Sequence, residues 1–241
     1  EIPPMLVIPS GVFIKNYDSN IPLKKKTQGL LKLFYAGTIR PWKGVDTILL
    51  GVAKLTKMGN PVHLTILGGT EDDPDIWRLR QLISKLNIQE NVTLKGYVPH
   101  NEVKTFMKEC DLAILPYRRN LYNNYVLSPL KMFEFLAARM PMLIFDNPCI
   151  REIVKDKETA IIVKPDVESL VSAIIDIQKN VLILDEIAEK GNKIARYYDW
   201  HVRVKTIEAF LDRLERGELE PGQIVDRNDL LSESEIQAIL Q

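Results

Sequence analysis

Short apolar runs alternate with longer amphipathic segments from residue 5 to about residue 180, and this constrains the chain more than any other feature of its sequence. Runs of four to six residues rich in Val, Ile, Leu and Phe are too short for helices and read as buried strands. When each is followed by a helical stretch, the arrangement is a series of βα units around a mainly parallel sheet. Candidate strands lie at 5–8, 31–36, 62–67, 91–94, 111–115, 142–145 and 160–163, and candidate helices at 45–58, 75–86, 101–110, 129–138 and 167–180. Beyond residue 180 the strands are expected to stop. Residues 182–195 and 200–216 read as two helices, residues 217–222 as a linker, and Ser232 with Glu235 as the capping box of a short last helix. That last helix either docks on the body or binds something else. The expected fold is α/β: a Rossmann-like parallel sheet flanked by helices with a helical C-terminal extension. The expected organisation is a body over 1–216 followed by a linker and short helix over 217–241.

Lys plus Arg and Asp plus Glu both number 32 in 241 residues, so no net field attracts nucleic acid or an anionic membrane, and any anion site must be local. Cys110 and Cys149 lie beside apolar runs without metal-ligand spacing and read as buried thiols in a reducing compartment. No apolar run approaches the roughly 20 residues of a membrane span, and the amino terminus lacks a signal-peptide pattern. The expectation is a soluble, cytoplasmic chain. Glu1-Ile2-Pro3-Pro4 runs into the first apolar segment without an initiator Met, as an excised domain or processed piece would.

In an open parallel sheet, ligands bind outside the carboxyl ends of the strands. The most telling stretch there is Ser128-Pro129-Leu130-Lys131-Met132-Phe133-Glu134. Ser128 is a good N-cap and Pro129 suits the first helical position, which leaves the amides of Leu130 and Lys131 available to an anion beside the Lys131 charge. Glu134, deeper in the helix, could accept bonds from ribose hydroxyls. The same residues would also make an ordinary capped helix with a solvated Lys and Glu. Four loops after strands are unusual. Gly37-Thr38-Ile39-Arg40-Pro41-Trp42-Lys43-Gly44 places two cations before a helix, without the spacing of a Walker A loop or a dinucleotide glycine fingerprint. Gly68-Gly69-Thr70 precedes the acidic Glu71-Asp72-Asp73, which fits a turn better than a metal site. In Gly96-Tyr97-Val98-Pro99-His100, the backbone could bond a base edge with Val98 or Tyr97 against its face, while His100 reads as a helix cap with no acidic orienter. Residues 116–127 hold Tyr117, Arg118, Arg119, Tyr122, Asn123, Asn124 and Tyr125, which suit a carbohydrate or a surface loop equally. His63 and His201 read as structural. No nucleophilic triad, zinc cluster or paired-carboxylate site emerges.

Together these loops resemble the nucleotide-sugar domain of retaining glycosyltransferases of the GT-B fold, specifically glycosyltransferase group 1. The resemblance runs from about Val7 to about Phe210. It is carried by Val7-Ile8-Pro9-Ser10-Gly11-Val12, the 37–44 loop, Leu67-Gly68-Gly69, Gly96-Tyr97-Val98-Pro99, residues 111–116, residues 128–141 and Tyr198-Asp199-Trp200. It implies one half of a GT-B fold, the half that binds the donor. By the resemblance Lys43 and Glu134 are the catalytic pair, with Lys43 on the donor diphosphate and Glu134 on the ribose. Ser128, Pro129, Leu130 and Lys131 hold the distal phosphate, the Val98 backbone recognises the base, and Gly37, Thr38, Arg40, Gly68, Gly69 and Tyr117 complete the donor site. These groups would stabilise the leaving nucleoside diphosphate electrostatically. The resemblance implies no resident cofactor and no metal, and a substrate such as a UDP- or GDP-sugar.

Three positions depart from the family. Thr38 stands where an Arg is frequent, with Arg40 as a substitute; Val126 stands where an earlier glutamate falls; Arg139 stands where Gly is common. They fit a subgroup with a Ser-Pro-Leu-Lys helix start. The implied activity is hexosyl transfer from a nucleotide sugar to an unknown acceptor, with acceptor site and any peripheral membrane contact left to a missing N-terminal domain. The other readings are a non-catalytic nucleotide-sugar-binding or regulatory module paired with a separate chain, and a nucleotide-sugar epimerase, for which no acid and base pair is found.

Overall fold

The computed structural model describes residues 2–17 and 30–240. Its strands are β1 (Met5–Leu6), β2 (Leu31–Ala36), β3 (Val62–Leu67), β4 (Val92–Gly96), β5 (Leu112–Leu115), β6 (Met142–Phe145), β7 (Ile161–Val163) and β8 (Ile224–Val225). Its α-helices are α1 (Val45–Lys57), α2 (Pro74–Leu86), α3 (His100–Glu109), α4 (Leu121–Tyr125), α5 (Leu130–Ala137), α6 (Pro148–Arg151), α7 (Val167–Lys179), α8 (Ile183–Ala195), α9 (Trp200–Glu215) and α10 (Glu233–Leu240).

Six strands form one parallel sheet in the order β4-β3-β2-β5-β6-β7. This is the doubly wound order, and its direction of winding reverses between β2 and β5, where sheets of this kind place a ligand crevice. Side chains alternate across the sheet as the two-residue period of a strand requires. Leu33, Tyr35, Leu64, Ile66, Leu112 and Ile114 enter the core under α1, α2 and α7, whereas Phe34, Ala36, Ala113 and Leu115 enter the core under α3 and α5. On the second face Phe34 meets Phe135 edge-on with ring centroids 6.0 Å apart, a favoured aromatic geometry.

Helix starts follow local chemistry. Asp73, Asp166 and Asp199 cap α2, α7 and α9 by accepting amide hydrogens from Asp75, Ser169 and His201. Asp199 is buried and also accepts from the Ile14 amide and from His201 Nδ1, which fixes His201 as a structural residue. His63 is structural too: its Nε2 lies 2.9 Å from Thr93 Oγ1 across β3 and β4.

Two expectations about the chain ends are corrected. The first apolar run yields only Met5–Leu6 as strand, and that strand stays outside the main sheet; Val7 is 63% exposed and Ile8 only half-buried. Nor do strands stop after residue 180, because β8 pairs in parallel with β1, Met5 opposite Ile224. An apolar pair as short as Ile224-Val225 carries no periodic signal. Residues 217–222 are turned by Gly217 and Gly222 at positive φ, yet Leu219 is buried, so the segment packs rather than hangs free. The capping box forms as read: Glu235 N donates to Ser232 Oγ at 3.3 Å, and Ser232 N donates to the Glu235 carboxylate at 2.7 Å. The last helix docks on the body through buried Ile236, a Glu233–Arg196 ion pair at 2.6 Å and a Tyr197 hydroxyl bond to Glu233 at 2.8 Å.

Ile236→Ala is expected to remove about 2 kcal/mol of that docking. Amide hydrogen exchange should then quicken over residues 224–240 while β2 and β5 stay protected; equal loss of protection in the sheet would contradict local docking.

Candidate functional site

The crevice is assembled by backbone. Gly37 N donates to Leu67 O at 3.0 Å and Gly68 N donates to Gly96 O at 2.7 Å, which ties the ends of β2, β3 and β4 side by side. A Cβ on Gly68 would lie 1.9 Å from Gly37 O, so only glycine allows that approach, and its φ of 134° is likewise glycine territory. At the start of α1, Gly44 has φ 78° and a Cβ there would stand 2.0 Å from Pro116 O. The loops after β2 and β5 thus touch at the point where the winding reverses.

A cavity of about 260 Å³ opens over these ends. It brings together Gly37, Thr38, Gly68, Gly69, Val98 and Lys131, from three strand ends and the first turn of α5, and adds Tyr97 and His100. Beside it, Glu134 joins two residues of the cavity wall: Lys131 Nζ is 2.7 Å from one carboxylate oxygen and His100 Nε2 is 3.4 Å from the other. The Tyr17 hydroxyl bonds the same carboxylate, and burial together with that negative charge pushes its pKa up, so it stays a donor. Tyr17 and the His100–Glu134 contact escaped the sequence reading. The cap position of α3 falls on Pro99, and His100 is the first helical residue, turned toward a carboxylate 34 positions downstream.

Lys43 lies next to this group. Its Nζ sits 4.9 Å from the centre of the buried Tyr117 ring, and burial lowers its pKa. Burial first, and then the Glu134 charge, raise the pKa of Tyr117. Lys43 thus rests over the Tyr117 ring, and the charge of Glu134, which pairs with Lys131, is felt at the same ring.

Three site expectations change. Ser128 does not cap α5: its Oγ accepts the Ser10 amide at 2.8 Å, which fastens the N-terminal segment to the helix start, and Pro129 takes the cap position in an extended conformation. The amides of Leu130 and Lys131 still lack an intrahelical carbonyl, as the first amides of any helix do. Arg40 is held through Nη1 by Asp73 at 2.7 Å and Asp75 at 3.2 Å, and the hydrogen bond to Asp73 keeps that carboxyl below its usual range; this brace between loops engages one end of the guanidinium. The 116–127 loop contains α4, capped by Asn120 onto the Asn123 amide, and its Arg118 and Arg119 pair with Asp46 and Asp146. Tyr122 and Tyr125 remain exposed, as does Val126. Arg139 has φ 52°, the left-handed conformation that glycine adopts most easily, and its guanidinium pairs with Glu189. Cys149 is half-buried rather than buried, with its thiol donating to Asn124 O. Among the described residues no helix is long and apolar enough to cross a membrane.

A family model described as glycosyl transferases group 1 matches residues 18–196. Alpha-D-kanosaminyltransferase of Streptomyces kanamyceticus is 26% identical over 133 residues, 55% of this chain and 32% of that protein. Sucrose-phosphate synthase of Thermosynechococcus elongatus superposes with a TM-score of 0.71 at 18% identity, over 87% of this chain and 52% of that one. Anabaena HepE, solved in complex with UDP-glucose, superposes with a TM-score of 0.68 at 17% identity, over 86% of this chain and 56% of that one. The chain thus spans about a third of the kanosaminyltransferase and about half of each of these structures.

Gly68→Ala is expected to cost at least about 2 kcal/mol, because a disfavoured φ adds to a collision with backbone that cannot rotate away. Urea unfolding should show a lower midpoint at unchanged slope; a midpoint equal to that of the unaltered protein would contradict the close approach.

Proposed function

The chain belongs to the glycosyl transferases group 1 family, and on that premise we propose that it is the donor-binding half of a retaining hexosyltransferase that uses a nucleotide sugar. The observation that carries the proposal is the convergence of the 37–38, 68–69 and 97–98 loops with the first turn of α5 on one cavity over the ends of β2, β3 and β4, beside the point where the sheet reverses its winding. That position suits a nucleotide, and the free amides of a helix start suit its phosphates.

In this reading the Val98 backbone meets the base edge and Glu134 accepts the ribose hydroxyls. Gly37, Thr38, Gly68 and Gly69 let the phosphates approach the main chain, and Lys43 joins the amides of Leu130 and Lys131 around the diphosphate. Tyr117 carries Lys43 on its ring face. When the bond between the anomeric carbon and the phosphate oxygen breaks, its electron pair stays on the oxygen. The new charge falls among groups already oriented and partly removed from water, where each is worth more than in bulk solvent. These cations and dipoles supply the charge stabilisation without calling on a resident metal. The HepE complex with UDP-glucose supports a donor of that chemistry. The acceptor would be held by the other domain of a GT-B enzyme, and the two thiols suit a cytoplasmic setting.

Calorimetric titration with UDP, GDP, ADP and their sugar conjugates tests the proposal, with selective binding of one base expected and no binding of any contradicting it. For the preferred base, Lys43→Met should weaken the diphosphate about tenfold and leave the nucleoside unchanged, since one charge-assisted contact is worth about 1.4 kcal/mol or more. Glu134→Gln should weaken nucleoside and diphosphate alike. Unaltered affinities in both variants would remove these residues from the site.

The depressed pKa of Lys43 gives a pH signature. The cation binds the diphosphate and is lost as pH rises through that pKa. The ratio of diphosphate to nucleoside affinity should therefore be highest at low and neutral pH. It should begin to fall at lower pH than for an ordinary lysine, pKa about 10.4. The same fall in Lys43→Met would assign it to another group.

A further inference from the structure

A second cavity, of about 390 Å³, lies against α9 and α10 and shares no residue with the donor cavity. Its unusual wall residue is Arg203, which is 3% exposed. Among the described residues neither Nε nor Nη2 of Arg203 has a hydrogen-bond partner, and no carboxylate pairs with the guanidinium. The two acids at the wall do not serve it: Glu233 is engaged by Arg196 and Tyr197, and Glu152 forms no ion pair with it among the described residues. Arg203 does stack on Tyr198, with Cζ 4.5 Å from the ring centre. That contact uses the face of the guanidinium and leaves its Nε–Nη2 edge buried without a hydrogen-bond partner.

Arg227 approaches the same ring, with Cζ at 5.7 Å and Nη2 3.4 Å from the Tyr198 hydroxyl. Burial and the nearby Arg227 push the Arg203 pKa down to about 10, so the cation persists at neutral pH in surroundings that disfavour it. Buried charges are ordinarily paired, and here two cations converge with no anion between them. The unpartnered donors also have a shape: Nε and Nη2 lie on one edge of the guanidinium and point in parallel, the fork that matches two oxygens of one phosphate or carboxylate. Two guanidinium groups at one ring favour the doubly charged phosphoryl group over a carboxylate.

We propose that this cavity is a second anion site, in which the Nε–Nη2 edge of Arg203, assisted by Arg227, binds the phosphoryl group of a phosphate monoester while Ile153, Ile194, Val202 and Ile236 take its apolar part. The site depends on the C-terminal segment, because Arg227 and Ile236 both come from the stretch after α9. It stands whether or not the donor reading holds.

The test follows the Arg203 Nε–H resonance of the full chain, assigned by its loss in Arg203→Lys, during titration with phenyl phosphate, inorganic phosphate and acetate. A saturable shift is expected, with phenyl phosphate binding more tightly than inorganic phosphate and acetate weakest. Phenyl phosphate affinity should fall at least about tenfold in Arg203→Met and clearly in Arg227→Met, which leaves the buried stack intact should the first variant fold poorly. Inorganic phosphate binding as tightly as phenyl phosphate would overturn the monoester assignment. No shift with any probe up to about 10 mM, or unchanged affinity in Arg227→Met, would overturn the site.

Discussion

The strand ends on which the candidate site rests are tied to one another by main-chain hydrogen bonds, with the Arg40 ion pairs to Asp73 and Asp75 beside them. Gly37 to Leu67 and Gly68 to Gly96 are backbone bonds, and the contact of Gly68 with the Gly37 carbonyl is closer than any side chain would permit. The glycines let the loops after β2 and β3 approach at the level of the main chain, so Gly37, Gly68 and Gly69 are left half-buried at the cavity wall. The doubly wound strand order puts that wall beside the gap between β2 and β5, and Gly44 against Pro116 sets how closely the two sides of the gap approach. A ligand that lies along backbone, such as a nucleotide with its phosphates, matches a surface built this way.

Electrostatics then divides the crevice. Near that wall, Glu134 gathers Lys131, His100 and the Tyr17 hydroxyl, so the carboxylate is balanced rather than stranded. Across Tyr117, Lys43 rests on a ring face and pairs with no carboxylate among the described residues, and burial works against its charge. A cation held in that way gains most from an anion brought to it, because it has the least to lose from water. Equal numbers of acidic and basic residues overall make this a local field, with no long-range attraction to blur it.

Much of the sheet was legible because buried parallel strands are short, apolar and bracketed by turns: residues 31–36, 62–67 and 142–145 are strands over the whole of the expected range. The helix start at residues 128–131 was legible as a place, since Ser-Pro marks a boundary, but not as a mechanism. Whether Ser128 caps its own helix or takes the Ser10 amide depends on a partner 118 positions away. The same holds for Arg40, whose capture by Asp73 and Asp75 needs the β2 and β3 loops side by side, and for His100 with Glu134. Pairings across the chain set these roles, and periodicity reports only neighbours. In the tail the last helix was legible from its capping box, whereas a two-residue strand leaves almost no pattern.

The central claim is that a nucleoside diphosphate lies across the strand ends with its phosphates at the start of α5. Backbone amide chemical shifts of the full chain, followed while UDP, GDP and ADP are added in turn, test it most directly. The account predicts that one nucleotide moves Leu130, Lys131, Val98 and the 37–38 amides together with a single saturation curve. Shifts confined to other surfaces, or amides of α5 that stay still while the nucleotide binds, would contradict it.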